Sequence, residues 1–91
     1  MKYKINYVID RILEEVFNKF RYELLDKELF NVEPRFLAES ILKEEFGEES
    51  AKLVKVQFEL GEDDRLTIVF YDNRYNKRLN TIEELETLLG G

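Results

Sequence analysis

Residues 53–72 limit the possible folds more than any other stretch of this chain. Val54, Val56, Phe58 and Leu60 alternate with Lys55, Gln57 and Glu59. Leu66, Ile68 and Phe70 alternate with Arg65, Thr67, Val69 and Tyr71. Successive strand side chains point to opposite faces, so each run has one continuous apolar face. Gly61, Glu62, Asp63 and Asp64 lie between the runs and are turn-forming residues. The stretch therefore reads as an antiparallel hairpin. Residues directly opposite each other share a face, and two registers keep apolar opposite apolar: Phe58 against Leu66, or Phe58 against Ile68. The first also sets Glu59 against Arg65 and is preferred. A one-residue slip would turn a whole strand over, so the parity is strongly specified.

The flanking segments read as helices that cover the apolar face. Val8, Ile9, Ile12, Leu13, Val16, Phe17, Phe20 and Leu24 recur at three- and four-residue steps, which predicts a helix from about Asn6. Lys2, Tyr3 and Lys4 read as an extended lead-in. Beyond Phe20 the pattern weakens. Either the helix ends near Asp26, or Tyr22, Leu25 and Leu29 bury a second face. Pro34 suits the first turn of a second helix, where its missing N–H costs nothing. Leu37, Ala38, Ile41, Leu42 and Phe46 form that helix's apolar side, with Phe36 off it, and Gly47 is a stop. Residues 48–52 add one helical turn. After the hairpin, residues 78–80 read as a short third strand. Thr81-Ile82-Glu83-Glu84 is a capping box that opens a last helix with Ile82, Leu85, Leu88 and Leu89 on one side. The expected fold is α+β in the order ααββα, a single domain over residues 1–91.

Several chemistries are excluded outright. The chain has no histidine and no cysteine. No Ser-His, Cys-His or His-metal site, no thiolate and no disulfide framework can exist. No run of about 18 apolar residues is present, so no membrane helix is expected. The N-terminus lacks the apolar block of a secretion signal, and the cytoplasm is the expected location. The terminal Gly90-Gly91 is how ubiquitin-like and sulfur-carrier proteins end. Here a long helix opens the chain where that fold has a hairpin, and the pair reads as a helix cap and chain end.

The net charge is −6, and it is unevenly spread. Residues 1–30 hold six basic and six acidic side chains, and residues 65–91 hold four of each. Residues 31–64 hold four basic and ten acidic, so the whole surplus lies there. Glu44, Glu45, Glu48 and Glu49 follow the second helix, and Glu62, Asp63 and Asp64 occupy the hairpin turn. The turn lacks the twelve-residue spacing of a helix-loop-helix calcium site. These seven carboxylates are read as one acidic recognition surface for a protein partner with a basic surface, where charge speeds encounter. The same surplus repels phosphates, so no direct nucleic-acid binding is expected. No cofactor or metal is expected either.

The expected function is that of a small acidic, non-enzymatic interaction protein. It would act as an inhibitor or regulator, with a nucleic-acid mimic of the phage type as one concrete version. The alternative is a self-associating structural subunit, a homodimer joined through the hairpin face or an open sheet edge. Val69, Tyr71, Arg74 and Tyr75 are the residues assigned to that alternative interface. A carboxylate-dependent metal enzyme comes third.

Overall fold

The computed structural model describes residues 2–20, 33–60, 62–63 and 65–90; for Lys2 and Leu60 it describes the backbone alone. Tyr22, Leu24, Leu25, Leu29, the helix end near Asp26 and the turn residue Asp64 fall outside that set. Among the described residues the elements run α1 (Lys2–Phe20), α2 (Glu33–Phe46), α3 (Glu48–Ala51), β1 (Val54–Leu60), β2 (Leu66–Asp72), β3 (Lys77–Arg78) and α4 (Ile82–Leu89). The strands form one antiparallel sheet in the order β1-β2-β3. The fold is α+β: helices, then a sheet, then a C-terminal helix.

The helix α1 begins at Lys2, not at Asn6. Ile5 is the reason. It is the first member of the apolar stripe Ile5, Val8, Ile12, Val16 and Phe20, all buried, and the helix must extend back to carry it. Phe17 does not belong to that stripe and is 54% exposed. Five positions past Ile12, it lies about 140° around the helix from the core.

The α2 helix runs antiparallel to α1. The Lys4 ammonium sits 5.0 Å from the centroid of the Phe46 ring, while Lys19 and Phe20 lie beside Glu33 and Phe36 at the other end. Pro34, Ala38, Ile41 and Leu42 are its buried side, and Phe36 is exposed. Gly47 then separates α2 from α3. Its N–H donates to the Lys43 carbonyl at 3.0 Å and its carbonyl accepts from the Ala51 N–H at 3.1 Å. It does so at φ 89°, ψ 157°, a region essentially open to glycine alone.

The hairpin keeps its expected parity but takes the other register. Leu60 stands opposite Leu66, Phe58 opposite Ile68 and Val56 opposite Phe70. The preferred pairing of Phe58 with Leu66, and of Glu59 with Arg65, does not hold; Glu59 faces Thr67. The shifted register would have set Leu60 against Asp64. The observed one adds an apolar pair at the turn end of the sheet and moves the mismatch to the other end, where Asp72 faces Val54. Asp72 finds a partner there, described below.

Val54, Val56, Phe58 and Phe70 of the sheet join Ile5, Val8, Ile12, Val16, Phe20, Ala38, Ile41, Leu42, Leu85, Leu88 and Leu89 of the helices in one core. Ile68, on the same face, is half-buried. α1 touches α2, α4 and β2; α2 touches β1; α4 touches β1 and α3. The opposite sheet face carries Lys55, Gln57, Glu59, Thr67, Val69 and Tyr71, placed there by the alternation. Val69 is nonetheless 4% exposed. It sits on the middle strand with Gln57 directly across.

The third strand comes one residue earlier than expected, at Lys77–Arg78, paired with Tyr71 and Asp72. The β2–β3 loop is four residues long, a length most often built on a type I turn. The Tyr75 N–H donates to the Asp72 carbonyl at 3.2 Å, and Asn76 takes φ 52°, which asparagine tolerates better than most residues. The Thr81 hydroxyl caps α4: it accepts from the Glu84 N–H at 3.2 Å and donates to the Glu84 carboxylate at 3.3 Å. Such a cap contributes about 1 kcal/mol.

Candidate functional site

The acidic residues after α2 are organised by a cation from α1. Arg11 Nε lies 3.0 Å from Glu15 Oε2, one terminal nitrogen lies 3.1 Å from Glu44 Oε2, and the other 2.8 Å from Glu45 Oε1. The antiparallel packing of α1 and α2 makes this reach possible. Each of the three guanidinium nitrogens donates to a different carboxylate. The hydrogen bond with Glu44 leads the causes that raise the Arg11 pKa above its ordinary value. Next along the chain, Glu48 and Glu49 each lie 3.9 Å from Lys52 Nζ, and Glu49 is 96% exposed. Glu15, Glu44, Glu45, Glu48 and Glu49 thus share one flank of the molecule with Arg11, Lys52 and Lys4.

Glu62 and Asp63 are elsewhere. They occupy the β1–β2 turn, at the far end of a seven-residue strand from α3. Seven residues of strand span about 20 Å, more than twice the distance over which exposed charges interact at physiological salt, about 8 Å. Asp63 is also engaged locally. It accepts from the Arg65 N–H at 3.2 Å and pairs with Arg65 Nε at 3.5 Å. The described carboxylates therefore form two groups at opposite ends of the sheet, not one.

A third cluster surrounds the β2–β3 turn. Asp72, at the mismatched end of the hairpin, is largely covered, and its carboxylate accepts from the Arg74 backbone N–H (3.0 Å), Nε (3.2 Å) and a terminal nitrogen (3.1 Å). Arg74 in turn lies 5.3 Å from the Tyr75 ring centroid, and Tyr75 is 73% exposed. Tyr71 stands between Lys55 and Arg78 on its two neighbouring strands, with the Lys55 ammonium 5.9 Å from its ring. Asn73 ties the cluster to the connection between α3 and β1, its N–H donating to the Leu53 carbonyl (2.9 Å) and its Nδ2 to the Lys52 carbonyl (3.2 Å). Of the residues assigned to this interface from sequence, Arg74 and Tyr75 lie together beside Asp72, Tyr71 points to the opposite sheet face, and Val69 is covered. Asp72 was missed. Its only sequence signal is an Asp two residues before an Arg in a turn, a pattern suited to an Asx turn.

The hydrogen bonds from the Arg74 side chain hold the Asp72 carboxyl below the ordinary carboxylate range, which for Asp is near about 3.9. A lowered folded-state pKa gives stability that is complete above the unfolded value and is lost as pH falls through the folded one. Unfolding by urea, repeated from pH 6 down to pH 2, should show the wild type losing more stability below about pH 4 than Asp72→Asn. The Asn side chain keeps the acceptor for the Arg74 N–H but has no charge to lose. Parallel curves for the two proteins would remove Asp72 from the acid response.

Between α1, β2 and α4 lies a shallow depression of about 230 Å³ lined by Ile9, Ile68, Phe70, Leu79, Ile82 and Leu85, with Asn80 and Thr81 at its rim. It carries no titratable group. Among the described residues no set of three or more acidic side chains is placed to hold a metal ion. No described helix is long and apolar enough to cross a membrane. Comparison with known proteins finds no matching family model, no matching curated protein and no matching solved structure.

Proposed function

We propose that this chain is a small non-enzymatic binding protein, an inhibitor or regulator whose acidic α1–α2–α3 flank meets a basic surface on a protein partner. The observation that carries this reading is Arg11, which gathers Glu15, Glu44 and Glu45 beside the exposed Glu48 and Glu49. One partly exposed cation fixes carboxylates that would otherwise repel one another and splay. The result is a negative surface of set shape. Each exposed pair contributes little by itself. Together the charges steer encounter, and salt removes that advantage.

The test is a salt-graded pull-down followed by association kinetics with the captured protein. Glu48→Lys with Glu49→Lys should slow association on the order of tenfold at low salt and leave the fold intact, since both side chains project into solvent. Glu62→Lys with Asp63→Lys, at the other end of the sheet, should leave the rate near that of wild type. Capture that ignores salt and both double variants would reject the acidic flank as the interface.

One observation favours the second reading, self-association. β1 is seven residues long and, among the described residues, is paired with a strand on one side alone, that of β2. Such an edge accepts another strand, although the outward Lys55 and Glu59 oppose uncontrolled pairing. Mass that rises with concentration in sedimentation equilibrium would select this reading.

A further inference from the structure

One length of the outer edge of β2 has no strand beside it. The Leu79 N–H donates to the Phe70 carbonyl at 2.9 Å, so Phe70 turns its backbone polar groups toward β3. In an antiparallel sheet every second residue of a strand turns the same way. Ile68 and Leu66 therefore point their N–H and C=O groups to that side as well. No strand meets them there among the described residues. β3 pairs with Tyr71 and Asp72, and past Leu79 the chain turns through Asn80 and Thr81 into α4. The side chains of Leu66 and Ile68 are half-buried, on the face that the helices cover.

The apolar depression beside α4 opens onto this edge. Ile68 and Phe70 form one wall of it, and Ile9 of α1 faces them. Leu13 and Phe17 follow Ile9 at four-residue steps, so all three lie along one flank of α1. That flank is turned away from α2, because Arg11, which reaches Glu44 and Glu45, lies about 160° around the helix from Ile9. Ile9 and Leu13 are half-buried, and Phe17 is 54% exposed. An apolar helix flank and an unpaired strand edge thus border one groove. Asp10 and Glu14, one position past Ile9 and Leu13, stand on its solvent side. Both are exposed, and neither makes an ion pair among the described residues.

We infer that this groove takes up an extended basic segment of a protein partner, added to the sheet as a strand beside Leu66 and Ile68. One large apolar side chain of that segment fills the depression. A lysine or arginine two positions away lies on the same side of the added strand, and its stem runs over Leu13 while its charge meets Asp10 and Glu14. In strand addition the main chain supplies affinity, and pockets for alternate side chains supply specificity. Charge and backbone together select the occupant. An acidic strand is repelled by Asp10 and Glu14. A docked helix keeps its own hydrogen bonds and leaves the edge groups of Leu66 and Ile68 unmatched. The site does not depend on the acidic α1–α2–α3 flank, which lies on the other side of α1.

The experiment titrates the intact chain with a labelled peptide, Lys-Thr-Leu-Thr-Lys with a capped serine at each end, whose palindromic order serves either strand direction. Binding is read by fluorescence anisotropy and by amide exchange. At saturation the Leu66 and Ile68 amides should exchange on the order of tenfold more slowly. The same peptide with its leucine and both threonines N-methylated should not bind, a control that leaves the protein untouched. Replacing the peptide leucine with alanine should weaken binding roughly tenfold. Asp10→Lys with Glu14→Lys should weaken it by a similar factor at low salt, with the gap closing as salt rises. Glu48→Lys with Glu49→Lys should leave affinity unchanged, which separates this groove from the acidic flank. The inference is overturned if the peptide does not bind, if the N-methylated peptide binds equally well, or if exchange at Leu66 and Ile68 is unaltered at saturation.

Discussion

Replacing Phe58 with Ala should cost about 3–5 kcal/mol of folding stability. Phe58 is 1% exposed and is the largest of the fully buried side chains among the described residues. It projects from the middle of β1, opposite Ile68, into the core that α1, α2 and α4 share. Truncation removes the transfer energy of the ring and leaves a hole that strands and helices on several sides cannot all close. A domain of this size has about 5–15 kcal/mol in total, so the variant should sit at the margin of folding. Urea denaturation followed by far-ultraviolet circular dichroism measures it. A loss below about 1 kcal/mol would show that the helical layer does not press on this face.

Ile12→Ala and Phe17→Ala form the second large contrast. Both residues lie on α1, and both fit an apolar periodicity read from sequence. Ile12 has no exposed surface, whereas Phe17 is 54% exposed. Ile12→Ala should cost about 2–5 kcal/mol. Phe17→Ala, despite deleting the larger side chain, should fall within about 0.5 kcal/mol of wild type. The two are compared in the same denaturant series. Equal losses would mean that α1 is rotated about its axis relative to the arrangement described here.

The two acidic groups carry a different lesson. Seven of the eight carboxylates between residues 44 and 64, all but Glu59, look like one feature when read along the chain. The strand β1 runs between them and carries them apart. Meanwhile Glu15 and Arg11, distant in sequence, join the first group because α1 and α2 are antiparallel. Proximity along the chain is a poor guide to a surface once a strand of seven residues intervenes.

What the sequence determined by itself was local. The alternation around Val56 and Phe58 set which side of the hairpin is apolar, because side-chain direction in a strand follows from backbone geometry. Thr81 and Glu84 marked the start of α4, and Pro34 and Gly47 bracketed α2, because each acts on the backbone within a turn. Tertiary structure decided the rest. Two registers of equal parity were open to the hairpin, and the choice turned on whether Leu60 or Asp72 took the polar mismatch. Arg74 made Asp72 the acceptable one, since a carboxylate at a covered strand end needs donors to replace its water. The outward turn of Phe17, the start of α1 at Lys2 and the Arg11 cluster depended likewise on where a second segment came to lie. No period within one segment carries that distance.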